Sequence, residues 1–326
     1  MVTPPVKGGQ PAIARRCEMA QASRRGARPP VNYRHAYHAG SFTDVVKHAV
    51  LALALERLKA KDAAFCVLDT HAGIGRYDLT APAARKTGEY MTGIGRLLER
   101  DPQSLPGELR PYLAAVRALN GGALGKGGLR WYPGSPRLVR SLLRRQDRLV
   151  ALELHPEDAA TLAALFERDP QVTVQQMDGY TGLKALLPPK ERRGLVLIDP
   201  PFEVKDEFER LVHGLRQAHR RWATGHYVIW YPIKDRQPVA AFHDALKATG
   251  IARILAVELL LRPAEDPQRL NGCGLVLVNP PWPIEDKLRK LMPVLANILG
   301  AEPGGGSRVE WLVPEIPPPV TPDKRA

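Results

Sequence analysis

The run GLVLIDPPFE occupies residues 194–203, and a near copy, GLVLVNPPWP, occupies residues 274–283. Each is a short apolar stretch closed by Asp or Asn, two prolines and an aromatic residue. Proline cannot donate to a sheet ladder, so such a run reads as a buried strand that stops where the prolines begin. The polar residue before the prolines then stands at the carboxyl end of its strand. Ligands of open α/β sheets bind at that rim. One reaction centre needs only one such end, so the two copies pose a choice.

Working outward, the same strand signal recurs at 64–70 (AFCVLDT), 149–154 (LVALEL), 172–178 (VTVQQMD), 226–232 (HYVIWYP) and 254–261 (ILAVELLL). With 194–199 and 274–279 these make seven strands. Helical patterns alternate with them at 156–169, 205–218 and 235–250, and a further helix starts at Thr43. Strands alternating with helices predict a doubly wound α/β sheet. One interval is too long. Strands one and two of such a fold normally enclose one helix, but here residues 73–148 intervene. We expect a small helical insertion over 78–129, ending in the Gly-rich GGALGKGG. That piece lacks the GK[ST] of a phosphate-binding loop.

The chain has 326 residues, a net charge of +13 and a pI near 9.8. Such a balance points to a polyanionic partner, with nucleic acid first. Residues 1–30 are rich in Pro, Gly, Ala and Arg and are expected to form a disordered basic arm, with the folded domain over 31–314 and a tail over 315–326. Cys17, Cys66 and Cys273 are far apart and fit no zinc spacing, so buried, reduced thiols are expected. No apolar run is long enough to span a membrane and no secretory signal is evident, so a cytoplasmic protein is expected. His35, His38, Lys47 and His48 lie close in sequence but lack a carboxylate or cysteine spaced for a metal, and no metal is expected.

The first strand runs into DTHAGIGRY, placing Asp69, His71, Gly73 and Gly75 in a strand-to-helix turn. Glycines there let a ligand approach the backbone. Glu153 ends the second strand, where a carboxylate can accept from both ribose hydroxyls of an adenosine. Asp178 and Gly179 end the third, where an adenine edge would lie. The ligand is NAD or S-adenosylmethionine. Tetrapeptides of the form [DN]PP[FYW] resemble the signature of enzymes that methylate exocyclic or amide nitrogens, and a dehydrogenase gives no reason for one after strand four.

An amine such as adenine N6 is a poor nucleophile because its lone pair is delocalised into the ring. A carboxylate and a carbonyl that accept its two hydrogens favour a pyramidal nitrogen, and a stacked ring fixes the plane of an extruded base. Asp199, the carbonyl of Pro200 and the ring of Phe202 supply these parts. By analogy with the methyltransferase sheet, of strand order 3-2-1-4-5-7-6, strand four lies beside strand one. Asp199 then faces the glycine turn. Strand seven is antiparallel there and carries Asn279 and Trp282 to the opposite edge. NPPW is therefore expected to be structural, a strand stop with a packing tryptophan.

Other motifs accompany DPPFE: NYRHAYHAGSFTDVVKH (32–48), DTHAGIGRYDL (69–79), KTGEY (86–90), YPGSP (132–136), LELHP (152–156) and WYP (230–232). In order and spacing the chain resembles the bacterial 23S rRNA adenine-N6 methyltransferases of the J type, from about residue 32 to 314. The resemblance implies a class I S-adenosylmethionine-dependent, Rossmann-like fold with a seven-stranded sheet. It implies S-adenosylmethionine as donor and 23S ribosomal RNA as partner. It also implies that Lys47, His48, His71, Ser135, Glu153, Asp178 and Gly179 line the cofactor site, that Asp199 is catalytic, and that Tyr33 contacts the substrate. Taken alone, Ser135 reads as a helix N-cap and His48 as a packed or surface histidine. Ser41 stands where the pattern has Asn, and the Gly-rich piece is longer than the pattern requires.

Rival readings remain. A DNA adenine methyltransferase would share the pocket, but normally carries a larger recognition domain. A non-catalytic RNA-binding assembly protein need not keep both DPPF and the glycine turn. A protein-glutamine methyltransferase usually has NPPY. No heptad or exposed apolar helix asks for a dimer, and a monomer is expected.

Overall fold

The computed structural model describes residues 1–2, 35–122 and 128–315. Tyr33, Cys17, the expected arm over 1–30, most of the Gly-rich piece and the tail beyond 315 lie outside the described residues, save for the first two of the arm.

The strands are β1 (Cys66–Asp69), β2 (Arg76–Asp78), β3 (Trp131–Pro133), β4 (Arg148–Glu153), β5 (Val172–Gln176), β6 (Gly194–Ile198), β7 (His226–Ile233), β8 (Ile254–Leu260), β9 (Gly272–Val278) and β10 (Gly306–Val313). Eight form one sheet in the order β10-β8-β9-β7-β6-β1-β4-β5, and β2 pairs with β3 as a separate ribbon. β1 pairs in parallel with β4 and β6, and so do β4 with β5 and β6 with β7. β9 is antiparallel to both β7 and β8. The seven expected strands are thus present in the expected order, with the seventh reversed. The count is corrected to eight by β10, antiparallel to β8 at the edge. β10 is mostly half-buried, as an edge strand with a solvated face must be. Its alternating GSRVEWLV is a weaker signal than the continuous apolar runs of the centre.

Those central runs face two layers at once. Leu195 and Leu197 of β6 join one apolar core, while Val196 and Ile198 join the other. Side chains of a strand point alternately to opposite faces, so a strand covered on both must be apolar throughout. The helices are α1 (Phe42–Lys59), α2 (Pro82–Thr87), α3 (Arg96–Leu98), α4 (Arg110–Leu119), α5 (Ser135–Leu142), α6 (Pro156–Leu165), α7 (Gly179–Ala185), α8 (Glu207–Arg221), α9 (Arg236–Lys247) and α10 (Ile284–Leu299). Apolar residues of α1, α4, α5 and α10 build the first core, and those of α7, α8 and α9 the second.

Fourteen of the eighteen residues of α1 are buried, because it packs against α4, α5, α10 and β9 together. A helix apolar on every side is an interior helix. This burial carries Asp44, Lys47 and His48 inside with it. The interval between β1 and β4 holds α2 to α5, and it also holds the β2–β3 ribbon, which three-residue strands did not announce.

Candidate active site

Asp199 follows the last residue of β6, and its carboxylate meets α1. Lys47 Nζ lies 2.5 Å from Asp199 Oδ2 and 2.9 Å from Asp44 Oδ1. Asp44 Oδ2 in turn accepts from His35 Nε2 at 2.9 Å and from the Gly40 N–H at 3.0 Å. Burial pushes the Asp44 carboxyl upward, yet His35 and Lys47 hold it well below the usual carboxylate range. Burial likewise opposes the charge on Lys47, but Asp199 and Asp44 hold its ammonium well above the usual lysine range. A buried lysine between two carboxylates is a fixed positive charge, and it keeps the Asp199 oxygen oriented from the α1 side. His38 accompanies this entry turn, with Nδ1 at 3.0 Å from Glu89 of the KTGEY motif.

Phe202 adopts φ +52°. A bulky side chain in the left-handed region is an outlier that surrounding contacts must enforce. Here the ring is held edge-to-face by Phe208, at 5.0 Å, and by Trp230 of the WYP motif, at 5.8 Å. Asp199, Pro200 and Phe202 therefore sit together at the carboxyl end of the central strand pair β6–β1.

The glycine turn follows β1 directly. Gly73 and Gly75 have φ +59° and +76°, so both positions favour glycine. The Gly73 N–H donates to Glu153 Oε2 at 2.8 Å, and the His155 N–H donates to Glu153 Oε1 at 2.8 Å. Glu153 thus ties the end of β4 to the turn while standing at the expected rim. Asp69 is fully buried, and among the described residues its Oδ2 has no hydrogen-bond partner. Burial pushes its carboxyl up to about 7, against the Ser135 hydroxyl, with the neighbouring Asp199 adding to the rise. Ser135 is the first residue of α5, and Gly134 occupies the cap position. The Ser135 hydroxyl favours the charged form of the Asp69 carboxyl.

His71 bonds through Nδ1 to Thr70 Oγ1 at 2.8 Å and meets the Tyr180 ring edge at 5.8 Å. Burial lowers its imidazole to about 4, while Asp199 and Asp178 pull the other way. Asp178 caps α7 by accepting from the Thr181 N–H at 2.9 Å. Gly179 leaves no room for a side chain, since a Cβ would lie 2.5 Å from the Thr70 carbonyl oxygen. The ends of β1, β4, β5 and β6 and the start of α1 therefore bring Asp69, His71, Glu153, Asp178, Asp199 and Lys47 to one rim.

His48 lies deeper. Its Nδ1 bonds the Tyr132 hydroxyl at 2.8 Å, and that hydroxyl bonds Tyr112 at 2.9 Å. Burial drives its imidazole down to about 3. Its Nε2 is buried and has no hydrogen-bond partner among the described residues.

The second copy of the motif is at the other edge. Asn279 donates through Nδ2 to the Ala223 carbonyl at 2.7 Å and to the Gly225 carbonyl at 2.9 Å. Its amide is consumed in holding the turn between α8 and β7. The expectation that Trp282 packs is corrected: the residue is 80% exposed. Its carbonyl accepts from Arg57 Nε at 3.0 Å.

Sequence reasoning missed Asp44, the residue that joins His35 to Lys47. Its spacing of three from Lys47 on a helix was the available signal. It also missed Arg210, whose guanidinium lies 4.6 Å over the Tyr180 ring. Among the described residues no group of three or more His, Cys, Asp or Glu is arranged to hold a metal ion, and no helix is long and apolar enough to cross a membrane.

The family described as "Ribosomal RNA large subunit methyltransferase D, RlmJ" matches residues 62–313. A relative from Haemophilus influenzae named ribosomal RNA large subunit methyltransferase J is 46% identical over 285 residues, covering 87% of this chain and 100% of the relative. Its namesake from Escherichia coli is 44% identical with the same coverage. The crystal structure of a Legionella pneumophila protein is 32% identical, with a TM-score of 0.76, covering 84% of this chain and 98% of that one. The sheet order, the rim and these likenesses agree, and the chain belongs to the ribosomal RNA large subunit methyltransferase J family, a family of methyltransferases.

Proposed function

We propose that the protein methylates the N6 amino group of an adenine in 23S ribosomal RNA, with S-adenosylmethionine as donor. The observation that carries this reading is the meeting of Asp199 with Lys47 and the glycine turn at one rim. The names of the two relatives support ribosomal RNA as the substrate class.

The rim fits the cofactor on its own terms. Among the described residues Asp69 Oδ2 has no hydrogen-bond partner and offers an acceptor for an ammonium, and Gly179 packs so closely on Thr70 and His71 that a side chain there would clash. Lys47, His48, Asp69, His71, Gly73, Gly75, Ser135, Glu153, Asp178 and Gly179 are the residues proposed to hold it. The bound cofactor supplies an electrophilic methyl on a sulfonium, so the protein's task is placement. Asp199 Oδ and the Pro200 carbonyl accept the two amino hydrogens, and Phe202 fixes the base plane. Lys47 holds the Asp199 carboxylate in place from the α1 side, and a carboxylate oxygen can only accept. Tyr33 is proposed to contact the RNA. The reading carries with it a cytoplasmic location and action as a monomer.

The test is methyl transfer from labelled S-adenosylmethionine to unmodified 23S rRNA, with nucleoside analysis of the product. Label in N6-methyladenosine is expected. Label on duplex DNA alone, or in another nucleoside, would overturn the proposal.

A further inference from the structure

The ribbon of β2 and β3 carries a charged face that the reaction does not use. Tyr77 and Tyr132 are paired across it and buried. Their neighbours Arg76, Asp78 and Trp131 lie on the other face. The Arg76 guanidinium lies 4.3 Å over the Trp131 ring, and that of Arg130 lies 4.8 Å over the same ring. Stacking on an aromatic face fixes a guanidinium without using its N–H donors. Arg130 also reaches Asp78 Oδ2 at 3.2 Å. Arg76 is exposed and makes no ion pair among the described residues.

The platform is rigid. Asn120, at the end of α4, accepts from the Arg130 and Trp131 N–H groups at 3.0 and 2.8 Å and donates to the Trp131 carbonyl at 2.8 Å. It is also joined to the site. Arg76 is the residue after Gly75, and the Gly75 carbonyl accepts from the Gly134 N–H at 2.9 Å.

We propose that this Arg76–Trp131–Arg130 face binds the phosphodiester backbone of the RNA strand flanking the target adenine. A guanidinium held over an aromatic ring, making no ion pair among the described residues, matches a phosphate in charge and geometry. A strand whose base enters the rim beside Asp199 must leave across a neighbouring surface, and the ribbon adjoins that rim through Gly75 and through Tyr77, whose ring lies 5.1 Å from His35. The excess of positive charge on the chain favours the same polyanion. The inference rests on the reading of the chain as an RNA methyltransferase.

The test measures binding of a labelled, unmodified 23S rRNA fragment across a salt series for the wild-type chain, Arg76→Glu, Arg130→Glu and Trp131→Phe. S-adenosylmethionine affinity is measured in parallel by calorimetry. Each charge reversal is expected to weaken RNA binding by about tenfold or more and to lower the slope of log K against log salt by about one. Trp131→Phe keeps a ring under both guanidiniums and is expected to stay within about threefold of wild type. Cofactor affinity is expected to hold, which shows an intact fold; if Arg76→Glu disturbs the adjoining turn, Arg130→Glu decides. Unchanged RNA affinity and salt slope in the charge reversals would overturn the proposal, as would an equal loss on duplex DNA. A wild-type chain that methylates rRNA while the variants bind normally sinks this face alone. A wild-type chain that neither binds nor methylates RNA sinks the functional reading and this face with it.

Discussion

Asp199 and Asn279 end two nearly identical apolar strands, yet their surroundings have little in common. β6 runs parallel to β1, so Asp199 emerges beside the glycine turn. β9 runs against β7 and β8, so Asn279 emerges at the opposite edge. At the first end a buried lysine addresses the carboxylate, and a phenylalanine is held at positive φ by two aromatic neighbours. At the second end the residue at positive φ is Asn279 itself, which tolerates that conformation, and its amide is spent on two carbonyls. Strain sits where a ring must be presented, and relaxation where a turn must be closed. Strand direction separates the two, and residue type does not.

The comparison can be broken at its charges first. Asp44→Ala leaves Lys47 buried with one partner fewer, and urea unfolding is expected to show a loss of about 3–5 kcal/mol. At the opposite edge the Arg253–Glu315 pair, with Glu315 68% exposed, is a surface contact, so Glu315→Ala is expected to cost less than about 1 kcal/mol. Equal losses would remove the distinction between an interior and a surface network.

The aromatics come next. Phe202→Ala is expected to lower kcat/KM on rRNA by about 10- to 100-fold, the worth of one stacked base, with Phe202→Tyr retaining most of the activity. Trp282→Ala is expected to stay within about twofold, since its exposed ring touches nothing the reaction uses. Initial rates on the same RNA decide between these outcomes.

A pH series sharpens the contrast further. Burial holds His48 at about 3 in the folded chain, below its value of about 6.5 when unfolded. The unfolded chain therefore takes up the proton first, and stability falls as the pH drops from about 6.5 towards 3, by roughly 1.4 kcal/mol per unit. His48→Gln is expected to flatten that slope. Asn279→Ala removes two hydrogen bonds and is expected to lower stability by about 2 kcal/mol at every pH, with the slope intact. Thermal or urea unfolding between pH 4 and 7 separates the two.

Much of this arrangement was legible in the sequence, for physical reasons that also mark its limits. Central strands covered on both faces write themselves as continuous apolar runs, so β1 and β4 to β9 could be read. β10 has a solvated face and the ribbon strands are three residues long, so neither announced itself. Asp199 followed from topology, because strand direction decides which end faces the turn. Lys47 and His48 stood out only through the family resemblance, since nothing in a helical pattern says that a lysine will be buried between two carboxylates. Glu153 reads from sequence as a ribose acceptor, and its oxygens also accept the Gly73 and His155 N–H groups, a backbone contact that residue type cannot reveal. The direction of strand seven makes NPPW read as a strand stop with a packing tryptophan, but a residue just past a strand end takes its burial from what lies beyond the sheet.

The most direct measurement compares Asp199→Ala with Asn279→Ala in methyl transfer to unmodified 23S rRNA. The account predicts that Asp199→Ala lowers kcat/KM by about a thousandfold, while Asn279→Ala stays within about threefold despite its lower stability. Methylation that survives Asp199→Ala and collapses with Asn279→Ala would place the chemistry at the other edge and contradict it.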